Sequence, residues 1–447
     1  MLARGVNIRK VTARMNKDLA YSLDRTLLLM RDEIGAEPSD EILLNALSGT
    51  SIALVADAAN LASHSAQTAL ITAATLMARS GHKVYLIAPN VELIGPQPPL
   101  RGSRLIDDLL VLGKDLLPGV EFGHQIPSEK VDLAIAFGNS PVELSARRLL
   151  SINCTHWAGI IAPLTNSSSW MHSDNPFGAL AAGGLAASEA FKVAMHKLLH
   201  LAPDIENSKA RFAFSENVHF QVAPEGTPPA TQLGPVDWIS GGAMTQAALY
   251  CLARIPNALC TGRVFEPDTA EFSNLNRYLL LRRSQCGGHK ATLISTGLPS
   301  AFCIAAVPKC FDETSASCTA LVSTVVVGVD HIPSRWLVQE QWPHWLAIGA
   351  TSHWCAMASY HEAGIGCARC LHNSDEENNG TLPTCAVVSF WAGLLVAAFV
   401  VRQAAGQDLD QTKQQIYMTP FRPERPSSAA VPKRPNCPVC AVLRKAA

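Results

Sequence analysis

A strand, a helix of small residues and a second strand follow one another twice along this chain, and that rhythm leaves few folds open. Residues 51–57 (SIALVAD) form a nearly continuous apolar run, residues 61–80 an alanine-rich helical stretch, and residues 83–89 (KVYLIAP) a second run; residues 131–137 (VDLAIAF) supply another. A strand apolar on both sides has no solvent face, so it belongs inside a parallel sheet covered by helices. Residues 207–235 are polar and rich in turn formers, with Pro228 and Pro229 adjacent, and they break the pattern. The rhythm then restarts, with strands at 236–239, 262–265 and 323–329 and a helix over 243–254. The sequence thus predicts an α/β protein with mainly parallel sheets. Its domains are expected at 1–206 and 236–402, joined by a linker over 207–235 and followed by an extended tail over 403–447.

At 447 residues the chain is long enough for two or three domains. Its 36 basic and 37 acidic side chains nearly cancel, and 48% of it is apolar. A disordered chain and a polybasic nucleic-acid binder are both excluded by that balance. The first 20 residues carry no apolar signal region, so the 13 cysteines are expected in a reducing, cytoplasmic setting where close pairs act as metal ligands. Residues 386–401 are uncharged but fall short of the roughly 20 that span a bilayer as a helix. They read as a buried helix, with no membrane role.

Behind the strand at 236–239 come Ser240, Gly241 and Gly242 and then a helix, the place where a doubly wound sheet offers backbone N–H groups to nucleotide phosphates. Ile239 and Met244 stand at the outer glycine positions of the usual loop, so a plain tight turn fits equally. Glu266, at the end of the next strand, lies near the offset at which an acid takes ribose hydroxyls. Next come Glu266-Pro-Asp268 and Ser273-Asn274-Leu275-Asn276-Arg277, then Lys290, and later Val327-Gly328-Val329-Asp330.

These strings, in this order, resemble the E1-like adenylating enzymes, the superfamily of ubiquitin-activating enzymes and bacterial sulfur-carrier adenylyltransferases (ThiF, MoeB, HesA). The resemblance is strong over about 235–445 and holds only in outline before that. It implies Rossmann-like domains, ATP as the nucleotide, and a carboxylate of a small protein attacking the α-phosphate. Such a reaction needs charge neutralised without a competing nucleophile. By resemblance Arg277 and Lys290 hold the phosphates, Asn274 orients them, Gly241 and Gly242 form the loop, Glu266 and Asp268 lie at the nucleotide, and Asp330 holds Mg²⁺. The sequence departs from the family at Tyr278, where glutamine is usual, and at Glu266, where aspartate is usual.

Cys367-Ala-Arg-Cys370 and Cys437-Pro-Val-Cys440 are two CxxC pairs suited to a closed tetrahedral Zn²⁺ site that pins the tail to the domain. Cys385, after Pro383 and Thr384, should fall in the first turn of the apolar helix, where the helix dipole favours a thiolate. A buried small hydrophobe is the other reading of that residue. The resemblance implies that Cys385 is the thioester cysteine, reached from a polar lid over 373–380.

The first half has no Ser-Asn-Leu-Asn-Arg string, paired lysine or CxxC, and reads as an inactive adenylation-like domain packed on the active one, a pseudodimer. Arg25, in a stretch resembling the family's N-terminal helix, is a candidate to enter the ATP site. The resemblance implies an E1-like enzyme that adenylates a ubiquitin-like protein and passes it as a thioester to an E2-like protein. It is most like compact versions from bacterial conjugation operons linked to antiviral defence, and a homodimer is compatible with that resemblance. A sulfur-carrier adenylyltransferase without thioester transfer and an ATP-independent pseudoenzyme scaffold are the alternatives.

Overall fold

The computed structural model describes residues 17–440, except 36, 121, 227 and 375–380. One sheet contains β1 (Ser51–Val55), β2 (Lys83–Ile87), β3 (Phe122–Gly123), β4 (Val131–Phe137), β5 (Ala146–Cys154), β6 (Ala158–Pro163) and β7 (Val218–Gln221), in the order β3-β2-β1-β4-β5-β6-β7. The other contains β8 (Gln232–Ile239), β9 (Leu259–Phe265), β10 (Phe302–Val307), β11 (Thr324–Val327), β12 (Trp345–Ser352), β13 (Cys355–Glu362), β14 (Gln415–Met418) and β15 (Ser427–Ala429). Its order, β10-β9-β8-β11-β12-β13-β14-β15, repeats the first plan and adds a strand. In each sheet the strands from β3 to β5, and from β10 to β12, run parallel, and those beyond run antiparallel. The α/β class and mainly parallel sheets expected from the apolar runs are therefore present.

Two expectations need correction. Within 207–235 the chain is not plain linker: the helix Ile205–Arg211 enters it, and β7 pairs with β6. Val218 and Phe220 point inward there while His219 and Gln221 are exposed, an alternation too short to stand out among polar neighbours. The tail expected to extend over 403–447 and close the zinc site also holds sheet structure, because β14 and β15 extend the second sheet from its β13 edge.

The two halves share one core. A continuous cluster of buried apolar side chains runs from Leu19 to Phe421. Every residue of the helix His64–Arg79 is buried, as are Ala386 through Val401 of the helix Ala386–Ala404. Small residues permit this close layering: a Cβ at Gly393 would lie 2.4 Å from Cβ of Ala247, on the helix Ala243–Leu252. The helix Ala386–Ala404 is apolar and long enough to cross a membrane by composition, yet it sits inside this core.

Candidate active site

The second sheet changes direction around β8, with β9 added on one side and β11 on the other. Ligands of doubly wound sheets bind at such a switch point, outside the carboxyl ends of the strands. A cavity of about 420 Å³ opens there, over the ends of β8, β9, β11 and β12. Arg25, Gly242, Glu266, Asp268, Arg277, Lys290 and Asp330 all line it.

Each group is fixed by its neighbours. Ser240 takes a left-handed φ of 98°, a conformation costly for a residue with a Cβ, and its Oγ accepts from the Gly242 N–H at 3.0 Å. Gly241 packs closely, because a Cβ there would lie 2.9 Å from Ile294 Cδ1 and 3.0 Å from Glu266 Cγ. Glu266 is buried, and its Oε2 accepts from the Gly241 N–H at 2.7 Å while Oε1 accepts from the Asp268 N–H at 3.1 Å. Lys290 Nζ donates to Asp268 Oδ2 at 2.9 Å and lies 4.0 Å from Glu266 Oε1. Burial works against the ammonium of Lys290, but Tyr278, Asp268 and Glu266 outweigh it and hold the pKa above the ordinary value.

Arg277 is nearly buried and donates from Nη1 to Ser273 O at 2.6 Å and to Asn276 Oδ1 at 2.8 Å. Burial pulls its pKa down, with Arg25 acting in the same direction and Tyr278, Asp24 and Asp330 opposing. Both cations lie near the Tyr278 ring, Arg277 at 5.4 Å and Lys290 at 5.6 Å from its centroid. Asp330 is exposed at the end of β11. Arg335 Nε, behind it, donates to Val329 O at 2.9 Å.

Three sequence candidates stand outside the lining. Gly241 reaches the lining only by donating its N–H to Glu266 Oε2. Asn274 Oδ1 accepts from the Glu271 N–H at 2.9 Å and so caps its own turn. Cys385 is the N-cap of its helix rather than a residue of the first turn, and it is fully buried. Burial pushes the Cys385 thiol up to about 12, although the Val388 and Val387 N–H groups pull it down. The expected low thiolate pKa is thus corrected: desolvation outweighs the helix N-terminus. Thr384 and Ser389 face the cavity instead, with Oγ atoms 3.3 Å apart. Most of the 373–380 lid expected from the sequence lies outside the described residues. Cys310 also lines the cavity, and no sequence signal singled it out.

Away from the cavity, the Sγ atoms of Cys367, Cys370, Cys437 and Cys440 lie within 4.8 Å of one another, with separations of 3.3–3.7 Å. The Arg434 N–H donates to Cys370 Sγ at 3.4 Å. Four thiolates at this spacing fit tetrahedral zinc and leave no open position.

Residues 263–439 match the ThiF family. That match takes in Glu266, Asp268, Arg277, Lys290 and Asp330 and begins after the Ser240–Gly242 loop. Residues 51–202 match the BilD N-terminal domain. The uncharacterized protein y4jF of Sinorhizobium fredii is 28% identical over 226 residues, which span 48% of this chain and 42% of that protein. The chain therefore matches less than half the length of this curated relative. Among solved structures, E. coli MccB with ATP is 15% identical over 57% of this chain and 74% of that one, with a TM-score of 0.38. Another crystal structure of E. coli MccB is 15% identical over 65% of this chain and 94% of that one, again with a TM-score of 0.38.

At the end of β1, the place in the first sheet that corresponds to this cavity, side chains bond to one another. Asn60 Nδ2 donates to Asp57 Oδ1 at 3.1 Å and to Ser140 Oγ at 3.1 Å, and Asn60 is buried.

Proposed function

We propose that this protein uses ATP to adenylate the C-terminal carboxylate of a ubiquitin-like protein. The observation that carries the reading is the convergence of Arg25, Arg277, Lys290, Glu266 and Asp330 on one cavity at the switch point of a ThiF domain. In the reaction a carboxylate oxygen bonds to the α-phosphorus, the bond to the bridging oxygen breaks, and pyrophosphate leaves. Negative charge grows on the phosphates, and fixed cations aimed at it lower the barrier. Arg277 and Lys290 are those cations, Arg25 adds a third from the first half, and Glu266 takes the ribose. Asp330 supplies one exposed carboxylate, which suits Mg²⁺ because that ion keeps several waters and takes phosphate oxygens. When bound, Mg²⁺ would neutralise charge on the leaving pyrophosphate. The first half has no Ser-Asn-Leu-Asn-Arg string with a following lysine, so one ATP per chain is expected.

The finer reading is that Cys385 then takes the acyl group as a thioester and hands it to an E2-like protein. Its thiol is enclosed, so capture requires residues 381–385 to move away from Arg25 first. The burial of Cys385 favours a second reading, in which the reaction ends at the acyl adenylate, as in a sulfur-carrier adenylyltransferase. ATP–pyrophosphate exchange, with small proteins encoded beside this one as substrates, tests the first step. A nonreducing gel tests the second, because a reducible adduct forms only if a thioester does. No exchange with any substrate would leave a scaffold that does not use ATP.

A further inference from the structure

Two residues of the first half hold the segment that carries Arg277. Arg79 ends the helix His64–Arg79 and is fully buried. Its Nη1 donates to Leu275 O at 2.5 Å, and its Nη2 donates to Leu281 O at 2.5 Å and Leu279 O at 3.3 Å. Among the described residues it makes no ion pair with a carboxylate. A buried charge is costly unless its donors are used; both Nη groups go to carbonyls on the two sides of Arg277 and Tyr278, while Nε has no partner. The segment is neither helix nor strand, so these carbonyls have no ladder of their own. Separately, Thr26 Oγ1 accepts from Asn276 Nδ2 at 3.1 Å, and Asn276 Oδ1 accepts from Arg277 Nη1 at 2.8 Å. Thr26 and Asn276 are both fully buried.

We propose that Arg79 and Thr26 are positioning residues that set the Arg277 guanidinium against the phosphates, so that the first half, though without a nucleotide site, tunes the chemistry of the second. This rests on the reading of Arg277 as a phosphate-facing cation. A displacement of about 1 Å in such a group costs on the order of a hundredfold in rate. The competing account is that both residues only glue the halves together. Arg254 supplies the comparison, because it is equally buried and also reaches the first half. Its Nη2 donates to Pro98 O at 2.6 Å and its guanidinium stacks 3.5 Å from the Tyr250 ring, with no hydrogen bond to the 275–281 segment.

The experiment compares full-length Arg79→Lys, Thr26→Val and Arg254→Lys by thermal unfolding, by pyrophosphate exchange with kcat and KM for ATP resolved, and by deuterium uptake over residues 272–282. Arg79→Lys and Thr26→Val should each lower kcat about tenfold or more, with a smaller change in KM and faster uptake in that segment. Arg254→Lys should lower the unfolding midpoint and keep kcat within about twofold of the parent. The proposal is overturned if the first two variants behave like Arg254→Lys, losing stability alone. If Arg79→Lys does not fold, Thr26→Val decides. If the parent shows no exchange, the adenylation reading fails by itself, and positioning is judged on uptake: unchanged uptake overturns it.

Discussion

Arg25 and Leu382 stand 357 residues apart in sequence, yet Arg25 Nη1 donates to Leu382 O at 3.0 Å. The Arg25 carbonyl in turn accepts from the Thr384 N–H at 3.3 Å. The first half thereby latches the segment that leads into Cys385. Arg25→Ala removes the side-chain bond and leaves the backbone one. A hydrogen bond from a charged but partly exposed donor contributes about 1 kcal/mol, so opening should become about fivefold more frequent. Alkylation of Cys385, followed by peptide mass spectrometry, should quicken by about that factor. An unchanged rate would mean that Arg25 does not hold the segment.

Removing charge from the cavity should cost rate with little loss of fold. Asp330→Asn changes an exposed group, so its unfolding midpoint should match the parent. Exchange should fall by about a hundredfold, the usual scale for losing one transition-state contact. Arg277→Ala should fall at least as far, and it also leaves Asn276 Oδ1 without its donor. Exchange within a few-fold of the parent in Asp330→Asn would place the metal elsewhere.

Acid should destabilise the protein well before its carboxylates titrate. Burial holds His64, His82 and His361 at about 4, against about 6.5 when exposed. Between those values the unfolded chain binds protons that the folded chain refuses. Stability present above pH 6.5 is therefore lost as pH falls toward 4, by up to about 1.4 kcal/mol per pH unit for each ring. Denaturant midpoints measured from pH 7 to pH 5 should fall steadily. A flat profile would show that these rings are hydrated or paired in solution.

The four-cysteine cluster should carry about one zinc per chain by elemental analysis. Cys437→Ser removes a ligand and should release the chain after β14 from the domain, which limited proteolysis between 419 and 436 would report as faster cutting. A parent protein that folds normally without metal would overturn the assignment.

How much was legible in the sequence depended on whether a residue's setting was local. Residues 131–137 could be read because every position of that strand except Asp132 is buried, and uninterrupted apolar runs mark such strands. The paired CxxC turns were equally plain, since each turn sets its own bite. β7 was hidden, because an edge strand with only one buried face looks like polar loop. Arg79 and Arg254 were hidden for another reason: buried arginines look like surface charges until the carbonyls that receive them, far off in sequence, are in place. Cys385 was half legible. Its seat at a helix N-terminus was near what the residues imply, but the cover that desolvates it comes from other parts of the chain.

That cover makes Cys385 the sharpest test of the whole reading. With its thiol at about 12, the thiolate fraction near neutral pH is negligible, so the enclosed form described here is inert. If residues 381–385 swing out, the thiol regains an ordinary pKa and can meet the acyl adenylate. The sulfur then bonds to the acyl carbon, AMP leaves with the bonding pair, and a thioester remains. Adenylation precedes this step and does not need the thiol. Cys385→Ser should accordingly keep pyrophosphate exchange and give a thiol-resistant ester or no adduct, and Cys385→Ala should give none. A reducible adduct in Cys385→Ala would move the acceptor role to another cysteine, with Cys310 first in line because it already lines the cavity. Loss of exchange together with a lowered unfolding midpoint would show that Cys385 serves the core alone.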